Sequence, residues 1–230
     1  MQKQEIVYLV LQSTYEQVEV ALFKEQIQID LIVVPKFVAS GQLIPALDDL
    51  LTKNNHRLEN LSFIGANLGP APFTTLRTVI STINGIRFAT QIPLVGINGI
   101  TTLVQEHSGP NPVIAILNAF GDSLYYAIKT DDGIKFGWKM AKIFWEQVAQ
   151  EFANQTVQVV GEGISNLKDW GITLPSNFEI NATGPKFTTL KAVAANCLIA
   201  YQDGHSVNEL QPLYLKSAIP ASFQNRSDRS

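Results

Sequence analysis

Residues 65–99 read GANLGPAPFTTLRTVISTINGIRFATQIPLVGING. The apolar run Leu61–Ala66 enters this segment as a strand and is stopped by the Gly-Pro-x-Pro turn at Gly69–Pro72. From about Phe73 to Ala89 the pattern changes to a helical one. Leu76, Val79, Ile80, Ile83 and Ile86 recur at spacings of three and four and form the face expected on a sheet. Pro93–Ile97 is again short and apolar. Strand, turn, helix and strand in this order predict a βαβ crossover in a parallel sheet.

The same helix carries a second stripe. Thr78, Thr82, Gly85 and Ala89 also recur at spacings of three and four. Small residues on one line let another helix come close, and Gly85 costs about 1 kcal/mol against alanine inside a helix. The stripe is either a contact line or an ordinary solvated face.

Upstream, Glu5–Leu11, Gln17–Phe23 and Ile27–Val34 read as three consecutive strands joined by tight turns. Ser40 is the expected N-cap of a helix from Gly41 to about Asn54, with Pro45 in its first turn. Leu43, Ala46, Leu47 and Leu50 share its core face, while Ile44 and Leu51 fall off that face and need cover. Residues 1–98 therefore run β-β-β-α-β-α-β, which fits a ribonuclease-H-like lobe. A second lobe is expected over 99–220. It comprises a short helix at Ile100–Glu106 ended by Gly109-Pro110, strands at Pro112–Leu117, Leu124–Lys129 and Ile134–Trp138, and a helix at Lys142–Phe152. A strand at Val157–Val160, a helix at Pro185–Tyr201 and an extended piece at Gln211–Lys216 follow. Residues 221–230 read as a frayed tail.

Composition narrows the function. A net charge of −3 gives no broad basic face for nucleic acid. The single cysteine, Cys197, excludes an internal disulfide and lies in a helical pattern as a buried thiol. No apolar run approaches the ~18 residues that span a membrane, and no leader pattern precedes Glu5, so a cytoplasmic protein is expected.

Few residues carry chemistry. Gly69–Thr74 precedes a helix N-terminus, but it lacks the Gly-Lys-Ser/Thr of a phosphate loop, and two prolines remove backbone donors. In actin-like and sugar-kinase-like folds the first hairpin loop bears an acid that handles metal and phosphates. Here Gln12-Ser13-Thr14 places a neutral amide there, a poor Mg²⁺ ligand. His56, His107 and His205 are scattered and read as solvated. Glu162, between Gly161 and Gly163, reads as a turn residue. No catalytic residue, metal ligand or cofactor is assigned.

Several segments together resemble one family, the TsaB (YeaZ-type) proteins. These are bacterial partners in making threonylcarbamoyladenosine on tRNA. Leu11-Gln12-Ser13-Thr14 stands where the family has Leu-Asp-Thr-Ser. Gly69-Pro70-Ala71-Pro72-Phe73-Thr74-Thr75-Leu76-Arg77 is similar to Gly-Pro-Gly-Ser-Phe-Thr-Gly-Leu-Arg, its most specific motif, so Gly69, Pro70, Phe73, Thr74 and Arg77 are the family residues. Gly85, Phe88-Ala89, Asn118-Ala119, Tyr125-Tyr126-Ala127, Gly161-Glu162-Gly163 and Pro212–Lys216 extend the match. The departures are Gln12 for an acid, Ala39 for a histidine, Ala71-Pro72 for Gly-Ser, and Phe120 for an arginine.

The resemblance implies an α/β fold of two ribonuclease-H-like lobes, as in the actin, sugar-kinase and Hsp70 superfamily. It implies a non-catalytic scaffold that pairs with a TsaD-like subunit through the helices of the first lobe. Ile44, Leu47, Leu51, Thr78, Thr82, Gly85 and Ala89 are the expected interface. A homodimer in isolation, a TsaE-like ATPase as a further partner, and weak or no tRNA binding by the lone chain complete the expectation. The competing reading is an enzyme of the same fold, a small-molecule kinase or glycoprotease-like peptidase, with a degenerate cleft.

Overall fold

The computed structural model describes residues 5–107, 112–181 and 183–216. The Gly109-Pro110 turn and the tail at 221–230 lie outside the described residues. Two five-stranded sheets have the same plan. The first contains β1 (Val7–Ser13), β2 (Gln17–Lys24), β3 (Ile27–Pro35), β4 (Phe63–Asn67) and β5 (Leu94–Ile97) in the order β3-β2-β1-β4-β5. The second contains β6 (Val113–Asn118), β7 (Ser123–Thr130), β8 (Gly133–Met140), β9 (Val157–Val160) and β10 (Phe178–Ile180) in the order β10-β9-β6-β7-β8. In each, the first three strands are antiparallel and the last two run parallel to the first. This is the two-lobe α/β architecture that the sequence pattern implied.

The segment at 65–99 forms the crossover expected of it. β4 leads into α2 (Phe73–Thr90), and β5 returns parallel to β4, with Gly65 opposite Val95. α2 lies beside α1 (Ala39–Lys53) on one face of the first sheet. Alternation along β1 sends Leu9 and Leu11 to that face, where they meet Leu43, Leu50, Leu76 and Ile80. Tyr8 and Val10 point to the opposite face.

α1 differs from its sequence reading at its start. It begins two residues early, because the amides of Gly41 and Gln42 both reach the Val38 carbonyl. Ser40 is therefore inside the helix rather than capping it, and Pro45 lies in the second turn rather than the first. Leu51 does not need outside cover: it is 4% exposed and belongs to the core with Leu47.

The largest correction concerns the last helix, α5 (Leu190–Gln202), which sequence order placed with the second lobe. It packs on the free face of the first sheet, with Val193, Ala194, Cys197 and Leu198 against Tyr8, Val10, Phe63 and Val95. Gly65 permits the close approach, since a Cβ there would lie 2.7 Å from Cys197 Sγ. The amphipathic pattern showed that this helix is buried on one side but not which sheet buries it. The helix also begins later than expected, at Leu190, because Thr189 caps it by accepting from the Ala192 amide at 3.1 Å.

α3 (Gly99–Glu106) covers one face of the second sheet and α4 (Ala141–Glu151) the other. α3 touches α5 between the lobes. Glu106, at the end of α3, accepts from Thr188 Oγ1 (2.6 Å), Thr189 N (2.9 Å) and Thr189 Oγ1 (2.7 Å), which ties the lobes at this point. The short strand β10 lies in the weakly patterned segment after Ser165 and had no sequence signal. Gln211–Lys216 is not a strand; Val207 forms an isolated bridge to Leu94 instead. His107 is buried rather than solvated, tucked against Gly184.

Candidate functional site

Two places could do work: the junction between the lobes and the outer face of α1 and α2. The junction starts at the end of β1. Gln12 is buried, and its amide nitrogen donates to Glu19 Oε2 at 2.6 Å and to the Thr188 carbonyl at 3.2 Å. Its oxygen accepts from Asn67 Nδ2 at 3.3 Å, and Asn67 Oδ1 in turn accepts from the Gly69 amide at 2.9 Å. Thr14 Oγ1 accepts from the amides of Glu16 and Gln17, and Ser13 donates to the Thr14 carbonyl. The first hairpin loop is a closed hydrogen-bonded turn.

Tyr15 follows, and sequence reading missed it. Its ring stacks between Phe187 (5.2 Å between centroids) and Phe120 (6.0 Å), and its hydroxyl donates to the Asn118 carbonyl. Burial, with Glu162 nearby, pushes its phenol far above the ordinary value, so it stays neutral. An aromatic residue in a tight hairpin loop was the available signal. Phe120 thus supplies a stacking ring just after the end of β6. Glu162 accepts from the Asn118 amide at 3.3 Å and fixes the end of β6. Gly161, at φ 101°, has no room for a Cβ, which would lie 2.3 Å from the Ile116 carbonyl oxygen.

The family motif meets the C-terminal segment on the other side of the junction. The Arg77 guanidinium lies 3.7 Å from the Phe73 ring centre, and its Nε donates to Tyr214 Oη at 2.7 Å. Lys216 Nζ donates to the carbonyls of Ala119 (3.1 Å) and Phe120 (3.3 Å). Between these groups lies a half-open cleft of about 350 Å³, lined by Pro70, Phe73, Phe120, Tyr125 and Tyr214. Gly69 and Pro70 form the turn under it. Thr74 is exposed in the first turn of α2, and its carbonyl accepts from Thr78 Oγ1 at 3.1 Å. The motif borders an apolar cleft, with its cation, Arg77, stacked on Phe73 and bonded to Tyr214.

The outer face of α1 and α2 has different chemistry. Ile44 is 64% exposed and Phe88 is 85% exposed. Gly85 and Ala89 are exposed, Thr78 and Thr82 are half-buried, and a Cβ on Gly85 would meet nothing within 4 Å. Of the seven residues expected at an interface, Ile44, Gly85 and Ala89 are on the open surface. Leu47 and Leu51 are buried and face inward, although their flanks line a groove with Ile44, His56 and Ile86. Phe88 was missed as a candidate because it falls between the two stripes.

The family described as "TsaD: tRNA N6-adenosine threonylcarbamoyltransferase" matches residues 33–226. The tRNA threonylcarbamoyladenosine biosynthesis protein TsaB of Haemophilus influenzae is 22% identical over 236 residues, covering 94% of this chain and 96% of that protein. The protein of the same name from Escherichia coli is 22% identical over 134 residues, 56% of this chain and 57% of the relative. Among solved structures, YeaZ from Pseudomonas aeruginosa superposes with a TM-score of 0.70 at 21% identity, over 91% of this chain and all of that one. A second Pseudomonas aeruginosa structure, described as similar to peptidase YEAZ, gives 0.71 at 21% identity over 92% of this chain. The likeness to these structures fixes the fold.

Proposed function

We propose that this chain, which belongs to the family of TsaD, tRNA N6-adenosine threonylcarbamoyltransferase, and is of the TsaB (YeaZ) type, acts as a non-catalytic partner subunit in making threonylcarbamoyladenosine on tRNA. One contrast supports this reading above all. The loops that would hold a substrate between the lobes are occupied by the protein's own side chains, Gln12 and Tyr15 foremost. On the helices above the first sheet, Ile44 of α1 and Gly85 and Phe88 of α2 are exposed. With the neutral amide of Gln12, itself bonded to Glu19, at the end of β1, the loop offers a poor ligand for the metal that phosphoryl transfer relies on.

In this reading the chain pairs with a TsaD-like catalytic subunit through α1 and α2, working in the cytoplasm. Alone, it self-associates through the same face, so the two assemblies compete. A TsaE-like ATPase joins the pair as a further subunit. The test is a pull-down of the tagged full chain from its native cell. A TsaD-like protein should be recovered with it; recovery of a reproducible partner set without one would overturn the reading.

A further inference from the structure

A groove of about 770 Å³ is lined by α1, by the turn at 56–59 and by Ile86 of α2. Ile44, Leu47, Leu51 and Ile86 give it an apolar surface. Three exposed carboxylates also line it, Asp48 and Asp49 from α1 and Glu59 from the turn, against one guanidinium, Arg57. Among the described residues, ion pairs join Lys24 to Glu5 and Lys53 to Asp30, and none involves Asp48, Asp49 or Glu59. The cations of α1 and α2 are held by the chain itself. Lys53 pairs with Asp30 at 2.9 Å, Arg77 lies on the Phe73 ring, and Arg87 donates to Gln91 Oε1 at 2.7 Å and to Asn208 Oδ1 at 2.5 Å. The groove therefore offers apolar contact beside an excess of negative charge.

From this arrangement we infer that the groove takes an amphipathic helix of the catalytic partner, one whose apolar stripe is flanked by lysine or arginine. The inference rests on the partner-subunit reading and adds to it the chemistry of the partner's contacting segment. A groove beside packed helices accepts a further helix through its apolar ridge. The flanking charge decides which helix. A two-fold pair of copies brings the same face to itself. A second copy would then offer its own α1, where Asp48 follows the exposed Ile44 by one turn with Asp49 beside it, so carboxylates would meet carboxylates. A basic helix turns that repulsion into attraction. The groove thus ranks a basic partner above a second copy. The two assemblies respond to salt with opposite sign, since screening weakens the first and relieves the second.

The test measures pairing of the full chain with its TsaD-like partner at low and at high salt, on either side of about 0.1 M. Pairing should weaken as salt rises. The double variant Asp48→Asn, Asp49→Asn should weaken pairing roughly 2- to 30-fold at low salt, the range for two exposed charge pairs, and flatten its salt dependence. Ile44→Ser, which removes the exposed apolar contact, should weaken pairing at both salt concentrations. All three positions are exposed, so melting temperatures should stay near that of the parent. Pairing indifferent to salt and to the double variant overturns the basic helix; if Gly85→Trp still abolishes pairing, the partner-subunit reading survives that loss. Pairing that tightens when the carboxylates are removed also overturns it. If no TsaD-like protein pairs with the parent, the partner-subunit reading fails. The groove is then tested with a synthetic helix of about 18 residues bearing a leucine stripe flanked by lysines, and with its glutamate counterpart. Saturable binding of the lysine peptide alone, lost in the double variant, upholds the groove. No binding, or equal binding of both peptides, overturns it.

Discussion

The hydroxyl of Tyr15, in the first hairpin of one lobe, donates to the backbone carbonyl of Asn118, at the end of the first strand of the other. The two positions correspond in the repeated plan of the sheets, so the bond joins the lobes through their equivalent loops. With the rings of Phe120 and Phe187 both stacked on Tyr15, this part of the junction is filled by the protein's own side chains.

Tyr15→Phe should retain the stack and lose the bond, costing about 0.5–1.5 kcal/mol. Tyr15→Ala should lose both and cost about 3–5 kcal/mol. Urea unfolding followed by far-ultraviolet circular dichroism measures both. An unchanged midpoint for Tyr15→Ala would show that the lobes are held by other contacts, the Glu106 cluster first among them.

Gly65 and Cys197 form a second, testable pair. Gly65→Ala would place a methyl group 2.7 Å from the sulfur, forcing α5 off the sheet at a cost of about 1–3 kcal/mol. Cys197→Ala removes the sulfur and should recover part of that loss in the double variant. Strict additivity of the two changes in thermal unfolding would contradict this contact.

His107 should make stability depend on acidity. Burial holds its imidazole below the ordinary 6.5, against the pull of Glu106. As pH falls through 6.5 the unfolded chain takes up a proton that the folded chain refuses, so stability falls from that point toward the lower folded value. Above 6.5 this contribution is fully present and flat. His107→Gln should remove up to about 1.4 kcal/mol per pH unit from the slope in that window. Equal slopes for parent and variant in urea titrations between pH 4.5 and 6.5 would refute the assignment.

Arg77 is expected to hold the C-terminal segment through its ring stack and its bond to Tyr214. Arg77→Lys loses the planar fork and should loosen residues 211–216 with little effect on global stability, since the group is exposed. Hydrogen exchange at the Leu213 amide, bonded to the Leu68 carbonyl at 2.8 Å, should accelerate several-fold. Unchanged exchange there would assign the anchoring to Lys216 instead.

How much of this was legible in the sequence depended on whether the deciding contact was local. The crossover at 65–99 and the three opening strands follow from periodicity and turn residues within a few positions of each other. The destination of α5 does not, because any sheet could cover its apolar face, and the contact that selects one joins Gly65 to Cys197 across 132 positions. The neutral first loop was readable from Gln12 alone. Its closure was not, since Thr188 and Asn67 are distant in the chain. Ile44 was legible as an outlier on its helix, but Leu51 was not legible as buried, because the core it joins is completed by residues distant in the chain.

Sedimentation velocity of Gly85→Trp bears most directly on the partner-subunit account. Nothing in the chain lies within 4 Å of a Cβ at Gly85, so the folded subunit should accept tryptophan with its melting temperature nearly unchanged. A partner helix packed on the Thr78, Thr82, Gly85, Ala89 line should be pushed away. The parent is expected to form a complex with its TsaD-like partner and to self-associate without it, and Gly85→Trp to sediment as a monomer in both mixtures. Assembly of Gly85→Trp with the TsaD-like protein at the parent's affinity would contradict the account.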